Sequence, residues 1–128
     1  MRRARDERGS AVVDFVLVML VLVPLVLGVM QVALVLHVRN TLEAAATEGA
    51  RVSAGLGATP GDGSERARQM IRTSIADRFA RDVTASRTSI GGLPGTVVRA
   101  RASVPPLGLW GPGVAVEVEG RALAEVEP

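Results

Sequence analysis

Arg8-Gly9-Ser10-Ala11-Val12-Val13-Asp14-Phe15 opens a run that stays apolar as far as Leu36, broken only by Asp14 near its start and Gln31 near its end. From Phe15 to Met30 no side chain is polar. As a helix, Ala11 to Leu36 would be roughly 39 Å long, against about 30 Å of bilayer hydrocarbon. That length predicts a membrane-spanning helix with some tilt, and it exceeds the apolar part of an ordinary secretory signal. Pro24 and Gly28 lie inside the run, and a membrane helix tolerates both, with a softened turn expected near Leu20–Pro24. Arg2, Arg3, Arg5 and Arg8 crowd the amino side, whereas the residues just after Leu36 offer only Arg39. The positive-inside rule therefore predicts a single pass in the cytoplasmic membrane, N-terminus inside and the rest outside.

Composition bounds what lies beyond the span. The chain has 128 residues with a formal net charge of +2, so nothing in its charge balance calls for nucleic acid. Two phenylalanines, one tryptophan and no tyrosine leave a thin, aliphatic core to be built from the remaining residues. The absence of cysteine excludes disulfides, thiol catalysis, a lipoprotein anchor and thiolate metal sites. One histidine, His37, stands at the edge of the span, and no carboxylates pair at a constrained spacing. No catalytic residue, cofactor site, metal site or small-molecule substrate is expected.

Asp14 is the residue that needs a reason. A carboxylate at the centre of a helix in lipid costs about 2.5–3.5 kcal/mol, and less near the edge, where it can reach water. It can be read as an interfacial anchor. Its position offers more: it stands five residues after Gly9, following a basic leader that ends in glycine and a small residue. This arrangement resembles the processing site of type IV pilins. The text Arg-Gly-Ser-Ala-Val-Val-Asp-Phe-Val-Leu-Val is similar to one branch, the TadE-like pseudopilins of tight-adherence (Flp-type) pilus systems. That resemblance implies cleavage between Gly9 and Ser10 by a prepilin peptidase, followed by assembly with other pilins and the pilus assembly platform. It also implies that Asp14, where the family usually has Glu, neutralises the new N-terminus. An α-amino group at Ser10 would carry positive charge near neutral pH, and a buried charge needs a partner. The alternative is an uncleaved single-pass protein that scaffolds an envelope or secretion complex. A twin-arginine signal at Arg2-Arg3 and a signal-peptidase site at Ala44-x-Ala46 fit the flanking residues poorly.

Beyond the span, His37 to Ala54 is alanine-rich and free of proline, so the helix should continue outward to about Ala54. Thr41, Ala45, Gly49 and Ser53 fall four apart and form a small-residue ridge. It allows close approach of another helix, from a partner or from the chain's own outer domain. Asn40-Thr41-Leu42 and Thr47-Glu48-Gly49-Ala50-Arg51 also resemble TadE-like text. Residues 55–63 read as a Gly/Pro linker, with Ser64 as N-cap of a second helix from Glu65 to about Val83. Ala67, Ile71, Ile75, Phe79 and Val83 recur every four residues as its apolar face. Arg66, Arg68, Arg72, Arg78 and Arg81 lie elsewhere on it, as a solvated face or a membrane-surface one. After Thr84 the period becomes two, predicting strands over Thr96–Val104 and Val114 to about Val126, with a further short strand open at Arg87–Ile90. Arg99 and Arg101 should face Glu117 and Glu119 across an antiparallel pair. In the Pro/Gly-rich loop between, Leu109 and Trp110 would cap the core or project as a contact.

The expected fold is α+β: a long N-terminal transmembrane helix continuing outward, an amphipathic helix and a small antiparallel sheet. The expected organisation is a leader over 1–9, a span over 10–36, its extension over 37–54, a linker over 55–63 and an outer domain over 64–128.

Overall fold

The computed structural model describes residues 2–107, 111 and 113–128. The fold is α+β. A 53-residue helix, α1 (Arg2–Ala54), is followed by α2 (Pro60–Ser74), a short 3-10 helix (Asp77–Ala80) and three strands. The strands are β1 (Asp82–Ile90), β2 (Leu93–Val104) and β3 (Val114–Leu123), antiparallel in the order β1-β2-β3. Helix α1 continues through Pro24. The expected contacts of Leu109 and Trp110 fall outside the described residues.

The halves of α1 have different surroundings. From Val12 to Val32 most of its large side chains are exposed, Phe15 at 63% and Val21 at 70%, for example. From Val38 onward one side of the helix is buried. Val38, Leu42, Ala45, Ala46 and Ala50 join Ala67 and Ile71 of α2, Phe79 of the 3-10 helix, and Val83, Val98, Ala100, Val104, Val116 and Val118 of the sheet. Apart from Phe79 this core is aliphatic. The outer half of α1 thus forms the wall against which both α2 and the sheet are laid.

Helix α2 starts earlier than the sequence reading places it, because the expected linker contains a stronger cap than Ser64. Thr59 is the N-cap, Pro60 takes the first helical position, and Asp62 completes a capping box. The Asp62 carboxylate accepts the Thr59 backbone N–H at 2.7 Å, and the Thr59 hydroxyl accepts the Asp62 N–H at 3.3 Å. Ser64 is instead buried in the helix, its hydroxyl donating to the Gly61 carbonyl at 3.0 Å. The helix also ends at Ser74 rather than near Val83. The Thr73 hydroxyl donates back to the carbonyls of Gln69 and Met70, and Ile75 leaves helical geometry at φ −131°, ψ −77°. The every-four-residues pattern therefore identifies the right inward residues on the wrong element. Ala67 and Ile71 belong to α2, Phe79 to the 3-10 helix and Val83 to β1.

Strand β1 is a full nine residues where only Arg87–Ile90 was open to reading. Gly91 and Gly92 explain it: both have positive φ, 59° and 84°, as a two-residue hairpin turn requires. The β2–β3 register sets Arg99 against Glu119 and Arg101 against Glu117, as the alternation predicts. Their charged atoms lie 2.8 Å and 3.1 Å apart. These pairs are on the water-facing side of the sheet, where solvent screening leaves each a small contribution. Hydrogen bonds from Arg99 and then Arg121 hold the Glu119 carboxyl below the usual carboxylate range.

The β2–β3 loop returns to α1 at Gln31. The Gln31 amide nitrogen donates to the Pro105 carbonyl at 3.3 Å, and its oxygen accepts the Leu107 N–H at 2.8 Å. The one amide in the apolar half of α1 is thus bound to the end of the outer domain.

Two predictions follow from this packing. A Cβ at Gly120 would run into the backbone of Ala46 on α1, which no side-chain rotation relieves. Gly120→Ala should therefore lower stability by about 1–3 kcal/mol in denaturant titration of the detergent-solubilised chain. Gly61→Ala, whose Cβ would meet nothing nearer than the Thr59 hydroxyl at 3.5 Å, should not. The Thr59 backbone and side-chain hydrogen bonds lower the Asp62 pKa below its ordinary 3.8. Because the folded value is the lower one, this contribution is present above the unfolded pKa and disappears as pH falls through the folded one. Amide protection at residues 62–64 should drop on acidification below about pH 4 in the native chain, whereas Asp62→Ala should show low protection at every pH.

Candidate functional site

The residues singled out in the sequence lie at two places along α1. Gly9, Ser10 and Asp14 are near its start, within the helix and exposed. Ser10 and Asp14 are four residues apart, so they share a helix face about 6 Å apart along the axis. A Cβ at Gly9 would touch nothing within 4 Å. A glycine inside a helix costs about 1 kcal/mol relative to alanine, so α1 opens more readily at Gly9 than it would at an alanine there. The basic residues before it continue the same helix rather than forming a separate head.

The exposed stretch after Asp14 is the one helix long and apolar enough to cross a membrane among the described residues; its most apolar window has a mean hydropathy of 2.9 and no buried residue. Exposure of this kind is untenable in water: each large aliphatic side chain removed from it gains roughly 1.5–3 kcal/mol. The chain's own outer domain covers only the end of this stretch, where Leu34 and Val35 are partly buried.

The small-residue ridge lies further out, and its occupant is the chain's own α2. A Cβ on Gly49 would stand 2.5 Å from the Gly63 carbonyl oxygen and 3.0 Å from the Ala67 Cβ. A Cβ on Gly63 would collide with the Ser53 side chain and the Gly49 carbonyl. The Ser53 hydroxyl is buried and donates to the Gly49 carbonyl at 3.0 Å, with the Pro60 carbonyl at 3.5 Å. Ala45 is fully buried, and Thr41 is half-buried with its hydroxyl on the His37 carbonyl at 2.9 Å. Of the two occupants open in the sequence, the packed one is internal. The matching glycine, Gly63, went unrecognised because it reads as linker. Gln31 went unrecognised because a single amide in an apolar run carries no sign of what it binds.

No three His, Asp or Glu side chains come together to hold a metal ion among the described residues. The arrangement offers an accessible small-residue peptide bond, Gly9–Ser10, a carboxylate one turn on, an uncovered apolar helix and a folded outer domain fixed to its far end. No curated protein and no solved structure matches the chain. Residues 9–51, from the glycine of that peptide bond to Arg51, two residues short of the ridge's last member Ser53, match the family model described as TadE-like protein, so the resemblance carried by the Gly9–Asp14 text and the Thr47–Arg51 text holds over this part of the chain.

Proposed function

We propose that the chain is a minor pilin or pseudopilin of TadE-like type. It is made as a membrane-anchored precursor with its basic leader in the cytoplasm. A prepilin peptidase trims it between Gly9 and Ser10, and it is assembled through α1 into or beside a tight-adherence (Flp-type) pilus or a related secretion machine. It is a structural part and a substrate of processing, not an enzyme. The observation that carries this reading is the combination of Gly9, the carboxylate of Asp14 and an uncovered apolar helix within a segment that matches the TadE-like family.

The chemistry supports each step. The leader holds Arg2, Arg3, Arg5 and Arg8, which favour retention on the cytoplasmic side. Cleavage after Gly9 needs local opening of the helix, and glycine lowers the cost of that opening. The mature chain would begin with a protonated amine at Ser10, one turn from Asp14 on the same face. In an apolar bundle of neighbouring helices, that amine and a carboxylate of its own or an adjacent chain neutralise each other. The exposed aliphatic surface of α1 faces lipid before assembly and other helices after it. Removal from lipid brings little hydrophobic gain, so close packing and the charge pair have to hold the assembled state.

A second reading has one observation in its favour. Helix α1 runs through Gly9 without interruption from Arg2. An uncut helix of this kind would serve as a permanent anchor for a scaffold in an envelope or secretion complex, with Asp14 at the interface.

Processing variants separate the two. Gly9→Leu should leave the precursor uncut, because a bulky side chain displaces the small residue the peptidase accepts, while Gly9→Ala should be processed to a similar or moderately reduced extent. Asp14→Ala should still be cut in part but should be lost from the assembled fraction. Precursor of identical mass in cells with and without the prepilin peptidase would refute processing and leave the anchor reading.

A further inference from the structure

We infer that the membrane-facing end of the outer domain carries a seat for phospholipid phosphate, formed around Arg78 and Arg81; this rests on the proposal that α1 crosses the membrane. The position of that end follows from three contacts. Gly120 of β3, which pairs with Val98 of β2, lies against Ala46 of α1. From Val98 to Val104 is roughly 20 Å of strand. From Ala46 back to Gln31 is about 22 Å of helix. Strand and helix thus descend together, and Pro105 and Leu107 meet Gln31, between one and two turns before the apolar run ends at Leu36. A hydrocarbon layer of about 30 Å takes up roughly twenty helical residues, Ala11 to Met30 when upright, fewer than the 10–36 span read from the apolar run; Gln31 then falls just beyond it, and its contacts with Pro105 and Leu107 stand at the headgroups.

The arginines lie on the same end. Asp82 pairs with Arg101, three residues from Val104, so the start of β1 is roughly 10 Å from the loop's level. The 3-10 helix Asp77–Ala80 comes immediately before it. Arg78 and Arg81 are exposed there and line an open cleft of about 470 Å³ together with Arg101. Acidic side chains are close: Glu117 is paired with Arg101 within the cleft itself at 3.1 Å, and Asp77 lies toward Arg72 at 3.9 Å. Asp82 also borders the cleft. Among the described residues, Arg78 and Arg81 have no carboxylate within ion-pair distance, and Arg78 lies over the Phe79 ring at 4.8 Å.

Two uncommitted guanidiniums at headgroup height match the chemistry of a lipid phosphate, which the planar fork of arginine binds through paired hydrogen bonds. The long side chains can snorkel the remaining distance. Val114, 44% exposed where β3 begins opposite Val104, adds an apolar contact to the same edge. The partner is the leaflet on the domain's own side. Its effect is to hold the domain down against the bilayer until the chain is withdrawn from it.

The lack of cysteine makes the test direct. Nitroxide labels are placed singly at Val21→Cys, Ala115→Cys and Leu123→Cys in the full chain. Each is reconstituted in vesicles of phosphatidylglycerol and phosphatidylcholine, and collision with a water-soluble nickel reagent is measured. The Val21 label should be shielded in hydrocarbon. The Ala115 label, beside the cleft, should collide several-fold less often than the Leu123 label at the far end of the same strand. Arg78→Gln/Arg81→Gln should raise the Ala115 value toward that of Leu123. Equal accessibility at Ala115 and Leu123 with Val21 shielded overturns the seat and leaves the membrane crossing intact. Protection at Ala115 that ignores the arginine substitutions also overturns it. A water-accessible Val21 overturns the crossing and the seat with it.

Discussion

One helix serves two environments, and everything else in the structure is arranged around that constraint. The first half of α1 is largely uncovered and apolar from Val12 to Val32, while the second half turns mostly small residues, with Val38 and Leu42, to the side that meets protein. The change comes where Val38, Leu42, Ala45 and Ala46 begin to be buried. Small residues there let a second helix and a sheet strand approach the α1 backbone itself. Gly63 closes on Gly49 and Ser53, and Gly120 closes on Ala46. Among the described residues the core holds one aromatic, Phe79, and close backbone approach between its small residues removes voids. The same contacts make the outer domain a rigid continuation of the helix rather than a body on a tether.

That rigidity matters for the proposed role. A pilin-like subunit transmits position from its membrane helix to its outer surface only if the two move together. Here the joint is secured at both ends of the domain. Near the span, Gln31 holds the Pro105–Leu107 loop; at the far end the Glu125 N–H donates to the Ala54 carbonyl at 2.8 Å. A polar residue in the apolar half of a membrane helix usually marks a partner, and Gln31 has found one within its own chain.

Much of this was legible in the residues themselves. The continuous helix, the aliphatic core, the β2–β3 charge register and the TadE-like N-terminal text all express local patterns: an unbroken apolar run, a scarcity of aromatics, a period of two with alternating charge, and a fixed glycine-to-acid spacing. Element boundaries in the middle of the chain were less legible, for identifiable reasons. Thr59-Pro60-Gly61-Asp62 carries linker composition, yet its Thr59–Asp62 pair makes a capping box that starts α2. The four-residue recurrence from Ala67 to Val83 reports burial, which a helix, a 3-10 turn and a strand satisfy in succession. The double glycine at Gly91-Gly92 was the available sign of β1, and its positive φ angles show why. The pairing of the ridge with Gly63 depends on how α2 folds back, which no local pattern encodes.

As proposed, the chain is a membrane-anchored, pilin-like precursor cut within α1 after Gly9, leaving the rest of the helix in the mature form. Intact mass with N-terminal peptide mapping of the chain extracted from native membranes tests this most directly. A mature form beginning at Ser10 is the predicted result. A chain that retains Arg2–Gly9 would contradict processing and make α1 a permanent anchor.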